Sequence, residues 1–178
     1  MEYLAMASVV NVLRKEYSKW VSSLSAKERH AIRKYSYNSY DKKPNRFFER
    51  LNRMLRGRYN QDDKYVLEDY SKVISAAMNR HPLQSNIICF RGGNENMVEG
   101  LRPGTIFAIK QYLSTSIIKS RALDGKYKYI IYVQNGALGA YIEEIIYFPK
   151  QREFLLDKNQ YYKFISQEEN IIKLEVVI

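Results

Sequence analysis

One change of period divides this chain. Up to about residue 82, apolar residues recur at mixed three- and four-residue spacing. From about residue 85 they come in short runs bounded by turn residues. Helices gathered before strands, without alternation, do not supply the crossover helix that each strand of a doubly wound parallel sheet needs. The pattern predicts an α+β fold. At 178 residues the chain is long enough for a full core and is read as one domain, 1–178, with a helical part over 1–80 and a β-rich core over 85–178.

In the first half the spacing predicts a helix over 3–22, with Tyr3, Leu4, Val9, Val10, Leu13, Tyr17, Trp20 and Val21 recurring at mixed three- and four-residue spacing. Ser25 and Glu28 fit a capping box for a second helix to about Tyr35. A loop is expected over 35–41. Pro44 is placed in the first turn of a third helix, which Gly57 ends. Asp62 and Asp63 start a fourth helix to about Asn79, and Pro82 stops it. In the second half, strands are expected at 86–91, 105–109, 112–116, 127–133, 152–156, 161–165 and 171–178. Met97 to Leu101 reads as a short helix, and Tyr141 to Ile146 as either extended chain or a short helix.

Composition narrows the partners. Lys and Arg exceed Asp and Glu by ten, a balance that favours encounter with an anion such as a phosphorylated ligand, nucleic acid, an acidic membrane face or an acidic protein. The 16 tyrosines fit base stacking or amphipathic packing at the edge of a core. A basic, Tyr-rich nucleic-acid-binding domain is therefore one competing reading. No apolar run approaches 18 residues, so no membrane span is expected. No signal peptide is visible at the N-terminus. The single cysteine, Cys89, rules out an internal disulfide and reads as a buried apolar side chain.

Several chemistries leave no trace. Arg91-Gly92-Gly93 is too short for a dinucleotide or P-loop fingerprint. His30 and His81 have no paired ligand nearby in sequence, so no zinc site is expected. There is no Gly-x-Ser-x-Gly elbow. Three features remain. Arg91 ends an apolar strand, where a guanidinium is costly to desolvate unless paired. Ser114-Thr115-Ser116 puts three hydroxyls between apolar neighbours. Gln151 and Glu153 lie two apart, so on an extended chain they share a face, with Phe148 at the tip of the turn before Pro149. That arrangement presents polar groups at a cleft mouth from a buried strand, with Glu153 as the catalytic candidate and Gln151 as the target reader.

Their order resembles a known family. Arg on a first strand, Ser-Thr-Ser on a later one, then aromatic-x-x-Gln-x-Glu looks like the mono-ADP-ribosyltransferase toxins, most of all the single-domain Rho-inactivating exoenzymes of the botulinum type. Ser23 to Ser36 is similar to that family's second helix, and Leu51-Asn52-Arg53-Met54-Leu55-Arg56 to its Ile-Asn-x-x-Leu-Arg segment. Phe90-Arg91-Gly92, Ser114-Thr115-Ser116 and Gly139-Ala140-Tyr141-Ile142 match three of its strands. Five short motifs in the right order are hard to obtain by chance.

The resemblance implies helices packed on a mixed two-sheet β-sandwich, NAD as co-substrate, no metal, and a monomer. It implies that Asn52 and Arg56 line the NAD cleft, that Arg91 with Gly92 holds the NAD backbone, and that Ser114 supports Glu153. Thr115 and Ser116 would stabilise the cleft, Glu153 would engage the nicotinamide ribose, and Phe148 and Gln151 would face the protein substrate. There is one departure. Where the family commonly has aromatic-x-x-Arg after Ser-Thr-Ser, this chain has Leu123 and Lys126. Lys126 supplies charge without a bidentate fork, and Arg121 is a nearby alternative.

Cleaving the nicotinamide–ribose bond develops positive charge on the ribose, which a carboxylate stabilises. An uncharged amide at Gln151 can both donate to and accept from an Asn side chain, whereas a carboxylate there suits an Arg acceptor. The resemblance thus implies transfer to an Asn of a host Rho-type GTPase, with NAD hydrolysis as a side activity, by a secreted toxin acting in the host cytosol. The same chemistry on another acceptor, Arg or Gln, is the runner-up.

Overall fold

The computed structural model describes residues 2–4, 6–37 and 46–178. Pro44 and most of the loop expected over 35–41 lie outside them. Four helices come first: α1 (Met6–Ser23), α2 (Ala26–Ser36), α3 (Phe47–Leu55) and α4 (Lys64–Asn79). Ser25 caps α2, its side chain accepting from the Glu28 amide while Glu28 reaches back to the Ser25 amide. Arg80 also grips Glu28 and, with these bonds, holds its carboxyl down to about 2. Asp63 precedes α4 but does not cap it. Its carboxylate is taken by Arg50 and by the Tyr59 hydroxyl, charge-assisted partners that outcompete a backbone amide. Gly57, at φ 73, ends α3 in the left-handed conformation that glycine adopts freely.

The second half forms eight strands: β1 (Ile87–Gly93), β2 (Ile106–Ile109), β3 (Leu113–Ser116), β4 (Tyr127–Val133), β5 (Gly139–Tyr141), β6 (Glu153–Leu156), β7 (Gln160–Glu168) and β8 (Ile171–Val177). The architecture is α+β, as expected, with strand order β2-β7-β8-β4-β1-β3-β6-β5. It is mixed because β4 and β8 run parallel. β1 pairs with β4 along its whole length but with β3 only at Phe90↔Ser116. The two expected sheets are therefore five strands and three, joined into one hydrogen-bonded run through that pair.

One local expectation fails, and a second, extended chain or a short helix over Tyr141 to Ile146, holds only as extended chain at its start. Met97 to Leu101 is a turn rather than a helix. The Tyr129 hydroxyl donates to the Glu95 carbonyl at 2.5 Å and accepts from the Met97 amide at 3.1 Å, and the Asn96 side chain takes the Val98 amide at 3.1 Å. Glu99 and Leu101 each close only a single turn, onto the Asn96 and Val98 carbonyls, and Gly100 at φ 76 leaves the helical region and stops the chain from continuing as a helix. Beyond β5 the chain turns at once, and the Ile142 amide prolongs the ladder by donating to the Glu153 carbonyl at 3.1 Å.

One apolar cluster runs from the helices into the sheet, with Leu13, Ile32, Leu51, Leu67 and Ile74 meeting Leu113, Ile131, Phe154 and Leu156. Trp20 fastens α1 to α4 by donating to the Ala77 carbonyl at 2.8 Å. The helices thereby cover β6, all four of whose residues are buried. One of those four is Glu153.

Candidate active site

β3 and β6 pair antiparallel, with Ser116↔Glu153, Thr115↔Phe154 and Ser114↔Leu155 in register. Ser114 is thus the diagonal neighbour of Glu153 on one face, within side-chain reach. Its hydroxyl donates to Glu153 Oε1 at 2.5 Å. Arg91, on β1, donates from Nη1 to the Ser114 carbonyl at 2.7 Å. The guanidinium that had to be paired is therefore held by a backbone carbonyl, and among the described residues it makes no ion pair.

Glu153 is 2% exposed. Burial pushes its carboxyl up to about 7, against the Ser114 hydrogen bond and the Arg91 charge, both of which favour the carboxylate. The group titrates near neutrality, where a catalytic acid or base is most effective.

A cleft opens over this carboxylate. Tyr35, Ser36, Phe48, Asn52, Arg91, Ser114, Leu123, Gln151 and Glu153 line it. Asn52 is buried and donates from Nδ2 to the Tyr35 hydroxyl at 2.9 Å, while its Oδ1 has no partner among the described residues. Arg121, Phe90, Thr115 and Ser116 line the adjoining recess with Ser114, Leu123, Gln151 and Glu153.

Gln151 does line the cleft beside Glu153, but strand alternation is not the reason. Pro149–Gln151 is a 3-10 turn, and Arg152 follows in the left-handed conformation at φ 52, ψ 48. β6 begins only at Glu153. Ser116 locks the turn, its hydroxyl donating to the Gln151 carbonyl at 2.7 Å and accepting from the Ile118 amide at 3.1 Å. Phe148 heads the turn half-buried and stacks on Tyr37, with ring centroids 6.4 Å apart and planes at 19°. Tyr147, 57% exposed, meets Tyr37 edge-on and carries the Arg33 guanidinium over its ring.

Three sequence-picked residues sit elsewhere than expected, while a fourth, Thr115, lines the recess with its hydroxyl turned away, donating to the Phe154 carbonyl at 2.6 Å. Gly92 is buried against the backbone of the 123–125 loop, where a Cβ would lie 2.0 Å from the Leu123 carbonyl oxygen. Its lack of a side chain seats that loop and does not face the cleft. Lys126 is exposed, with its ammonium over the Tyr127 ring. Arg121, its alternative, is the cation brought to Ser114 and Glu153. Arg56 bonds Gln111 and lines a neighbouring groove with Arg58, Met97 and Lys110. The sequence reading missed Tyr35 and Phe48 as cleft walls. Tyr35 lies in the last turn of α2 and Phe48 in the first turn of α3, and no periodicity separates a core aromatic from one that also lines a cleft.

A near-neutral carboxylate braced by a hydroxyl under a cationic cleft is suited to stabilising positive charge that develops on a sugar ring beside a phosphorylated group. Residues 13–176 match the family model described as ADP-ribosyltransferase exoenzyme, and the chain belongs to that family. It is 28% identical over 177 residues to the NAD(+)–arginine ADP-ribosyltransferase EFV of Enterococcus faecalis, a match covering 93% of this chain and 34% of that protein. The chain thus spans about a third of that relative. The fold is shared with the C3 exoenzyme of Clostridium limosum, at TM-score 0.76, 21% identity and coverage of 100% of this chain and 97% of that one. It is also shared with an ADP-ribosyltransferase of Clostridium botulinum, at TM-score 0.75, 21% identity and coverage of 99% and 98% of the two chains.

Proposed function

We propose that this chain is an NAD-dependent mono-ADP-ribosyltransferase that moves ADP-ribose to an Asn side chain of a host Rho-type GTPase and hydrolyses NAD slowly when no acceptor is present. The observation that carries the reading is the Arg91–Ser114–Glu153 chain of contacts, with Gln151 in the same cleft. The cleft suits the co-substrate: Arg91 and Arg121 offer cations to a pyrophosphate, and the unpartnered Asn52 Oδ1 offers an acceptor to a hydroxyl or amide. NAD supplies a ribose C1′ whose bond to the nicotinamide nitrogen breaks, the electron pair neutralising the ring. Ionised Glu153 stabilises the charge developing at that ribose, and Ser114 keeps the carboxylate aimed. Gln151 accepts from the attacking amide N–H and donates to its carbonyl, placing the nitrogen for the new bond to C1′. Glu153, near neutrality, is the base within the cleft for the proton the nitrogen loses. Phe148 and Tyr147 give the partner an apolar platform beside it.

The test is incubation with labelled NAD and a purified Rho GTPase, followed by mass spectrometry of the modified residue. Label on an Asn is expected. No transfer, where an active control enzyme transfers well, would sink the Rho assignment. An Arg acceptor is the second reading. It is favoured by the relative named for arginine and by Tyr147, whose ring already carries one guanidinium, with Arg33 Cζ 5.2 Å from its centroid. A small guanidino compound that takes up label would favour that acceptor.

A further inference from the structure

Behind the cleft, around a carboxylate that no motif singled out, lies a second cluster of charge. Glu143 follows β5 in a turn, and its side chain is 7% exposed. Arg14, on α1, donates to it twice, from Nε to Oε2 at 2.9 Å and from Nη2 to Oε1 at 2.8 Å. The Tyr141 hydroxyl donates to Oε2 at 2.7 Å. Arg152 pairs with Oε1. One buried carboxylate thus ties the first helix, β5 and the turn before β6 together.

Arg152 separates Gln151 from Glu153, and its backbone is left-handed. A residue with a Cβ resists that conformation, which persists only where the surroundings hold it. On the strand side the backbone is well held: the Ile117 amide donates to the Arg152 carbonyl and the Ile142 amide to the Glu153 carbonyl, each at 3.1 Å. On the turn side the Ser116 hydroxyl holds the Gln151 carbonyl at 2.7 Å and the Arg152 amide donates to the Pro149 carbonyl at 3.1 Å, so what Glu143 adds is a hold on the Arg152 side chain. We propose that Glu143 is a positioning residue: by anchoring the Arg152 guanidinium it holds Arg152 left-handed, and so aims Gln151 into the cleft beside Glu153. The functional part of this inference rests on the reading of Gln151 as the acceptor-binding group. Because β6 holds Glu153 independently, the anchor serves acceptor transfer more than NAD hydrolysis.

The test compares transfer with hydrolysis in four variants. Glu143→Gln is expected to lower transfer about 10-fold while hydrolysis stays within about 3-fold. Arg152→Ala and Arg152→Gly both remove the pair and leave Glu143 satisfied by Arg14 and Tyr141. Glycine adopts the left-handed conformation freely, so Arg152→Gly is expected to keep about 5-fold more transfer than Arg152→Ala. Arg14→Gln loosens α1 but spares the Arg152 pair, and should leave the ratio of the two activities unchanged. Equal loss of both activities in Glu143→Gln, or equal behaviour of the alanine and glycine variants, would overturn the proposal. An NMR arm needs no activity. A strong intraresidue amide–Hα NOE marks positive φ at residue 152, and it should weaken in Glu143→Gln; if it persists unchanged, the anchor is wrong. Should the parent protein neither transfer nor hydrolyse, the functional reading falls and this arm still decides the anchor.

Discussion

The floor of the cleft and its mouth are built differently. The floor is strand: Glu153 is buried, Ser114 braces it at 2.5 Å, and β3 and β5 pair with β6 on both edges. The mouth is turn and aromatic surface: Gln151 sits on a 3-10 turn, and Tyr147 and Tyr37 are exposed beside half-buried Phe148. A group that must carry an elevated pKa needs burial, and burial needs a ladder to satisfy the backbone around it. A group that must meet a second protein needs exposure. Arg152, left-handed between them, is the joint at which one requirement gives way to the other.

Four experiments break or sharpen that contrast. The largest effect is expected from Glu153→Gln. Both transfer and NAD hydrolysis should fall by at least about 1,000-fold, because the carboxylate acts on the ribose in both. The same change should stabilise the protein above neutral pH. The folded carboxyl binds its proton up to about 7, against an ordinary value of 4.5. Between those values the folded state holds more protons than the unfolded one, so stability falls as pH rises. The Gln variant is spared a penalty of roughly 3 kcal/mol at pH 8. Thermal melts should show it more stable than the parent at pH 8, with that advantage gone at pH 4.

Next comes the mouth. Gln151→Ala should cost transfer about 100-fold while hydrolysis remains within about 3-fold. Equal loss of the two would mean that floor and mouth are not separate.

Ser114→Ala tests the brace. It removes a donor that favours the ionised form, so the acid limb of the pH–rate profile should move above its parent position near 7. A loss of about 10-fold at pH 7 is expected for hydrolysis and transfer alike.

The smallest effect separates two cations. Arg121→Ala should raise the KM for NAD about 5-fold by removing a charge-assisted contact in the cleft. Lys126→Ala should leave it unchanged, since the Lys126 ammonium lies over Tyr127.

The helices were legible because their signals are local. The Ser25–Glu28 capping box, the three- and four-residue apolar spacing of α1 and the glycine after α3 each act within a few residues, and each stands where it was read. The strands were legible as runs of apolar and β-branched residues. The 97–101 turn was not, because the Tyr129 hydroxyl that holds it lies some 30 residues along the chain. Asp63 does mark the start of α4, but its carboxylate is engaged by Arg50 and Tyr59 and leaves the helix without a side-chain cap.

By itself the sequence determined the class of fold and the inventory of reactive groups, since period and residue type are properties of the chain. It named Glu153, Ser114, Arg91, Asn52 and Gln151, and all five line one cleft. Tertiary structure alone decided their chemistry and their company. Burial under the helices lifts Glu153 toward neutrality, and the crossing of β1 with the 123–125 loop makes Gly92 a spacer. The fold brings Arg121 rather than Lys126 to the site, and a left-handed Arg152 turns Gln151 toward Glu153. Desolvation, backbone approach and the joining of distant segments depend on what the rest of the chain places nearby, and no short window of sequence contains that.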